Sequence, residues 1–208
     1  MIIAIFASGK GSNFKAILDA IRAGKIRGAQ IAVVLSNKPD SGALRIARES
    51  GIPAIHINWN QFPSDEQLTN YLLGVLQEYL VNFIVLAGFM KKIDPRVVRV
   101  YRHRIINIHP ALLPSFGGAG MYGRHVHEAV LKAGEAVTGA TVHLVDEEYD
   151  HGPIVLQRRV QVEPGETPET LAVKVLSVEH ELYPEAIRLF AEGKVTVDAQ
   201  HVTIMNSQ

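Results

Sequence analysis

The chain has no cysteine, a single tryptophan and no surplus of either charge, since 21 Lys and Arg balance 21 Asp and Glu over 208 residues. Without cysteine there is no disulfide, no thiolate metal site and no cysteine nucleophile. A formal net charge of zero argues against the basic surface that nucleic-acid binders need. Long apolar runs are missing as well, and none approaches the ~20 residues of a membrane span. The opening Met1-Ile2-Ile3-Ala4-Ile5-Phe6 has no basic leader and runs straight into a glycine loop, so it reads as a strand and not as a signal peptide. The expectation is a cytoplasmic enzyme with small-molecule partners, no nucleic acid and no membrane. The length suits one compact domain over 1–208, with ample core.

What is present is an alternation of two periods. Ile2–Phe6, Ile31–Leu35, Ala54–Ile57 and Phe83–Ala87 are short apolar runs, the pattern of strands buried on both faces. Between them Phe14–Arg22, Ser41–Gly51 and Asp65–Val81 carry helical spacing, the last with Leu68, Tyr71, Leu72, Val75, Leu76 and Leu80 on one face. Strand-helix alternation of this kind predicts an α/β fold with a doubly wound, mostly parallel sheet. After Asp94 the texture changes. Ile105–His109 is a fifth strand, and Leu112–Gly123 is a loop rich in glycine and proline. His125–Ala133 is a short helix, Gly139–Val145 and Ile154–Val160 an antiparallel pair, and Pro168 to about Glu192 a long helix started by Thr167. Gly193–Val197 is a terminal edge strand at best, and the polar tail after Asp198 is expected to fray. The chain divides into a Rossmann-like half, 1–100, and a second half, 101–208, that holds the antiparallel portion.

The first loop, Ser8-Gly9-Lys10-Gly11-Ser12-Asn13, joins a strand to a helix. Small residues there let backbone amides approach a phosphate, and the helix N-terminus adds positive partial charge. The spacing is neither that of an ATP-binding P-loop nor the full dinucleotide fingerprint, so a phosphate monoester fits better. The same residues also make an ordinary tight turn with Ser12 or Asn13 as helix cap. Both readings stay open on the loop alone.

Asn107-Ile108-His109-Pro110, with Asp150-His151-Gly152-Pro153 further on, carries the chemistry. Asn107 and His109 are two residues apart and share one face of their strand. They sit at a strand end, where open sheets place ligands. An amide and an imidazole can stabilise an oxyanion. A carboxylate can hold the imidazole in its working state and relay a proton. That trio can run an acyl transfer without a metal or a covalent intermediate. A buried structural histidine is the bland alternative for His109, and a turn residue before Gly152-Pro153 that for Asp150. No HExxH or similar spacing accompanies the histidines, so no metal is expected.

Taken together, Ser8–Asn13, Leu86-Ala87-Gly88-Phe89-Met90, Asn107–Pro114, Thr138–His143, Asp150–Ile154 and Glu179–Pro184 resemble the folate-dependent formyltransferases over nearly the whole chain. The early glycine loop resembles the branch of that family that acts on glycinamide ribonucleotide. The resemblance implies the formyltransferase fold and 10-formyltetrahydrofolate as co-substrate. It implies transfer of the formyl group to the ribonucleotide amine, a step of purine biosynthesis. It implies that Asn107 and His109 stabilise the oxyanion and that Asp150 keeps His109 charged by raising its pKa. Gly11, Ser12, Asn13 and Glu179 would hold the ribonucleotide phosphate and ribose. Met90, Lys91, Lys92 and Ile93 would lie along the folate, and His143 near the site. Lys92, where the family is often apolar, and His151, where it often has a small residue, depart from its usual forms. A formyltetrahydrofolate hydrolase and a non-catalytic nucleotide-binding module are the rival readings, and the protein is expected to be a monomer or homodimer.

Overall fold

The computed structural model describes residues 1–198 and 201–205. The fold is α/β, with seven strands in a mostly parallel main sheet and an antiparallel portion late in the chain. The chain forms two compact units that meet in sequence between Ile106 and Asn107.

The first unit holds β1 (Ile2–Phe6), α1 (Ser12–Arg22), β2 (Gln30–Ser36), α2 (Gly42–Glu49), β3 (Ala54–His56), α3 (Asp65–Glu78), β4 (Phe83–Leu86) and α4 (Pro95–Val100). Its strands lie in the order β3-β2-β1-β4, all parallel, with Ile3 opposite both Ile31 and Phe83. β1 is central, which is why its residues alternate with nothing polar: Ile3, Ala4, Ile5 and Phe6 are fully buried. Caps set the helix starts. The Ser41 hydroxyl accepts from the Leu44 amide, that of Ser64 from Gln67, and the Asp94 carboxylate from Arg96.

The helical face expected over Asp65–Val81 is narrower than its spacing predicts. Leu68, Leu72, Val75 and Leu76 are buried, but Tyr71 is 41% and Leu80 72% exposed. Leu80 lies beyond the end of α3 with φ 53°, so helical periodicity no longer aims it. Tyr71 packs on Phe62 at 5.2 Å between ring centroids. The turn of helix α4 carries too few residues for periodicity to declare it.

The second unit contains the end of β5 (Ile105–His109), then α5 (Arg124–Ala133), β6 (Val137–Leu144), β7 (Ile154–Gln161), α6 (Pro168–Ala191), β8 (Val195–Asp198) and β9 (His201–Ile204). Its main strands follow the order β5-β6-β7, with β6 and β7 antiparallel as expected. α6 begins with a reciprocal capping box between Thr167 and Thr170 and packs on α5, β6 and β7. The expected edge strand at Gly193–Val197 is a correction: β8 pairs with β9 as a separate two-stranded sheet. His201–Ile204 is therefore paired and does not fray, while residues 199, 200 and 206–208 of the tail lie outside the described residues.

Candidate active site

β5 ends in Asn107 and His109, and the polar end of a buried strand needs partners for its side chains. β6 supplies His143, and the β6–β7 connection supplies Asp150. The three residues expected to act together converge. Asn107 Nδ2 lies 3.5 Å from Asp150 Oδ1, and His109 Nδ1 lies 3.5 Å from Asp150 Oδ2. Asp150 adopts φ 52°, a left-handed conformation held by its surroundings, and its Oδ2 accepts the Gly118 amide at 3.0 Å. Phe116, also left-handed, places its carbonyl 2.8 Å from His109 Nε2. The loop after Pro114 is thus tied to both members of the His–Asp pair. Sequence reasoning missed those links because they run through backbone atoms.

Asn107 also donates from Nδ2 to His143 Nε2 at 3.1 Å, and His143 Nδ1 lies 2.8 Å from the Leu144 carbonyl. β6 is buried on both faces from Thr138 to Leu144, and the register with β7 shifts between Val142 and His143.

The electrostatics correct one expectation. Asp150 acts to raise the pKa of His109, as expected, yet the net shift is downward. Burial dominates, because His109 is 3% exposed and an imidazolium loses hydration there. Asp150 and the Phe116 carbonyl oppose the shift without reversing it, and His143 adds to it. At Asp150 burial works to raise the pKa and is outweighed by His143, by the charge of His109 and by the Gly118 amide, leaving the carboxyl below its ordinary value.

A histidine not singled out from sequence stands beside this group. His127, on α5, is 4% exposed, and its Nδ1 makes no hydrogen bond among the described residues. Its pKa is lowered by burial and then by the charge of His109. His127 and Glu179, with Pro110, Arg124 and Leu176, line a cavity of about 380 Å³. The signal for His127 was its place one helical turn before the apolar Val130, which reads as core and gives no hint of the cavity.

The remaining expected residues belong to the first unit. Gly11 is the N-cap of α1 with φ 81°, and no side chain caps that helix, so neither Ser12 nor Asn13 acts as the cap. A Cβ on Gly11 would come within 2.8 Å of Ala43 Cα, which requires glycine at that turn. With no side-chain cap, α1 begins with the kind of helix end that anions favour. Ser8 joins this loop to the segment expected along the folate: its hydroxyl donates to Asn37 Oδ1 at 2.6 Å and accepts the Met90 amide at 2.9 Å. Met90, Lys91 and Lys92 are exposed and Ile93 is buried. Lys92 and Ile93 line a pocket of about 210 Å³. Among the described residues no helix is long and apolar enough to cross a membrane.

Comparison with known proteins places these features in context. The sequence profile described as formyl transferase matches residues 1–187. The chain is 43% identical over 194 residues to the chloroplastic phosphoribosylglycinamide formyltransferase of Arabidopsis thaliana, a match over 93% of this chain and 66% of that protein, just under two thirds of its length. It is 37% identical over 195 residues to the phosphoribosylglycinamide formyltransferase of Escherichia coli (strain K12), covering 94% of this chain and 89% of that protein. Its structure is similar to glycinamide ribonucleotide transformylase 1 from Symbiobacterium toebii, with TM-score 0.93, 39% identity, and coverage of 99% of this chain and 94% of that one.

Proposed function

The chain belongs to the formyl transferase family, and we propose on that premise that it transfers the formyl group of 10-formyltetrahydrofolate to the amine of glycinamide ribonucleotide. The observation that carries the reading is the convergence of Asn107, His109 and Asp150 at the end of β5. The open N-terminus of α1 behind Gly11 supports a phosphate ester as acceptor.

In the reaction the neutral amine attacks the formyl carbon. A new N–C bond forms, and the carbonyl oxygen becomes an oxyanion. The bond from the formyl carbon to folate N10 then breaks, and one proton passes from the attacking nitrogen to N10. Asn107 and the imidazole of His109 donate N–H hydrogen bonds to the oxyanion, interactions that are stronger in the transition state than in the ground state. Asp150, ionised at neutral pH, faces His109 and is the group that moves the amine proton, directly or through water. Gly11, Ser12 and Asn13 hold the phosphate, Glu179 the ribose hydroxyls, and Met90–Ile93 the folate. Tetrahydrofolate and the N-formyl ribonucleotide leave.

The test is turnover of 10-formyltetrahydrofolate by the purified chain with and without glycinamide ribonucleotide, followed by tetrahydrofolate absorbance. Turnover that requires the ribonucleotide supports the transferase. Turnover without it makes the protein a hydrolase, and none in either case, with the protein folded, leaves a binding module.

A further inference from the structure

The buried imidazole of His143 has partners at both ring nitrogens. A neutral imidazole has one N–H and one lone pair. Nδ1 lies 2.8 Å from the Leu144 carbonyl oxygen, which can only accept, so the ring proton sits on Nδ1. In the neutral ring Nε2 then carries the lone pair; its nearer partner, at 3.1 Å, is the side-chain amide of Asn107, which presents Nδ2, and Asp150 Oδ1 lies 3.5 Å from the same nitrogen. Turning that amide over would set its oxygen against both the His143 lone pair and the Asp150 carboxylate, 3.5 Å away. Two acceptor–acceptor contacts in a buried site are costly.

We infer that His143 is a positioning residue: its tautomer, locked by the Leu144 carbonyl, turns the N–H edge of Asn107 toward the reacting centre. One Nδ2 hydrogen is held by His143. The other faces Asp150 Oδ1 at 3.5 Å, a long approach that leaves it available to a developing oxyanion. Were the amide reversed, its carbonyl oxygen would face that oxyanion and repel it.

A further feature serves this arrangement. Gly152 passes so close to the Leu144 carbonyl that any Cβ there would collide with it, so the bare glycine keeps that oxygen in place for Nδ1. The order of control runs from Gly152 through Leu144 and His143 to Asn107.

This inference rests on the formyl-transfer reading, and its test separates the two. The tautomer is read directly from the ring nitrogen shifts of His143 in the ¹⁵N-labelled protein, which requires no turnover. A proton on Nδ1 is expected, and a proton on Nε2 alone or on both nitrogens overturns the inference. Kinetics then follow on the intact chain. His143→Asn keeps a donor for Leu144 but cannot reach Asn107, whereas His143→Gln places an acceptor where Nε2 was. We expect kcat to fall about 100-fold in His143→Asn, the scale of losing one oxyanion donor, with KM for both substrates little changed. His143→Gln should recover most of the loss. In an Asn107→Ala background the His143→Asn change should add little, because the two residues act as one unit. Losses that multiply, or that appear in KM alone, would overturn the positioning role. Absence of turnover in the wild-type protein would instead sink the formyl-transfer reading, with the nitrogen shifts still deciding the tautomer.

Discussion

Asp150 joins the most partners with the fewest atoms. Its carboxylate meets Asn107, His109 and the Gly118 amide from a left-handed backbone conformation. Asp150→Asn keeps the shape but removes the charge and the proton acceptor. Turnover should fall about 10²–10⁴-fold with the circular dichroism spectrum unchanged; near-normal turnover would remove Asp150 from the mechanism. The pH dependence follows from the depressed imidazoles. His109 and His127 both bind protons less readily in the folded chain than in the unfolded one. Their contribution to stability is therefore complete above the ordinary histidine value of about 6.5 and is lost as pH falls through it toward the folded values. Asp150, also depressed, contributes above the ordinary carboxyl range and loses that contribution at more acid pH. The melting temperature should begin to fall below about pH 6.5, and less steeply in His127→Gln, a comparison scanning calorimetry makes directly. An equal acid slope in the variant would exclude His127 as a contributor. The acid limb of kcat/KM should lie below the usual histidine range for the same reason.

At the scale of elements, the strand ends carry the site and the helices brace it. The β1–α1 turn depends on Gly11, where a side chain meets both a left-handed φ of 81° and the backbone at Ala43. Gly11→Ala should cost about 1–3 kcal/mol of stability in urea unfolding, a loss that a merely loose surface turn would not show. Replacing Ser12 and Asn13 together with alanine should leave folding intact and weaken ribonucleotide binding in calorimetric titration; unchanged affinity would move the phosphate site elsewhere. The elements themselves were largely legible. Apolar runs declared β1, β2 and β4 because strands buried on both faces have no polar face to hide. Pro168 after Thr167 declared the start of α6. The misses have local causes. α4 is six residues long, under two helical turns and too short for periodicity to reveal it, and no apolar run marks the pairing of β8 with β9. Leu80 looked like the next step of an amphipathic face only because the helix end at Glu78 leaves no trace in spacing.

For the whole molecule, charge balance and composition carry the expectations. With 21 charges of each sign the chain has no basic surplus, and it should pass through a heparin column at physiological salt. Among the described residues no group of three or more histidine, aspartate or glutamate side chains is arranged to hold a metal. The expectation of metal-free chemistry came from the sequence, which has no HExxH or similar spacing; turnover should persist in excess chelator, and a sharp loss that zinc or magnesium restores would reverse that expectation. The residues of the candidate site were named from sequence because their types and spacing carry the chemistry: an amide and an imidazole two apart at a strand end, a carboxylate before Gly152-Pro153. Sequence alone determined the alternation of strand and helix, the buried strands and the identity of the acid, the imidazole and the amide, since these depend on neighbours close in the chain. Tertiary structure alone decided that burial outweighs the pull of Asp150 on His109, that Phe116 and Gly118 hold the His–Asp pair by backbone atoms, and that Asn107 turns its N–H edge inward. Burial and hydrogen-bond direction are set by groups brought together from distant positions, and no local pattern records which atoms will meet.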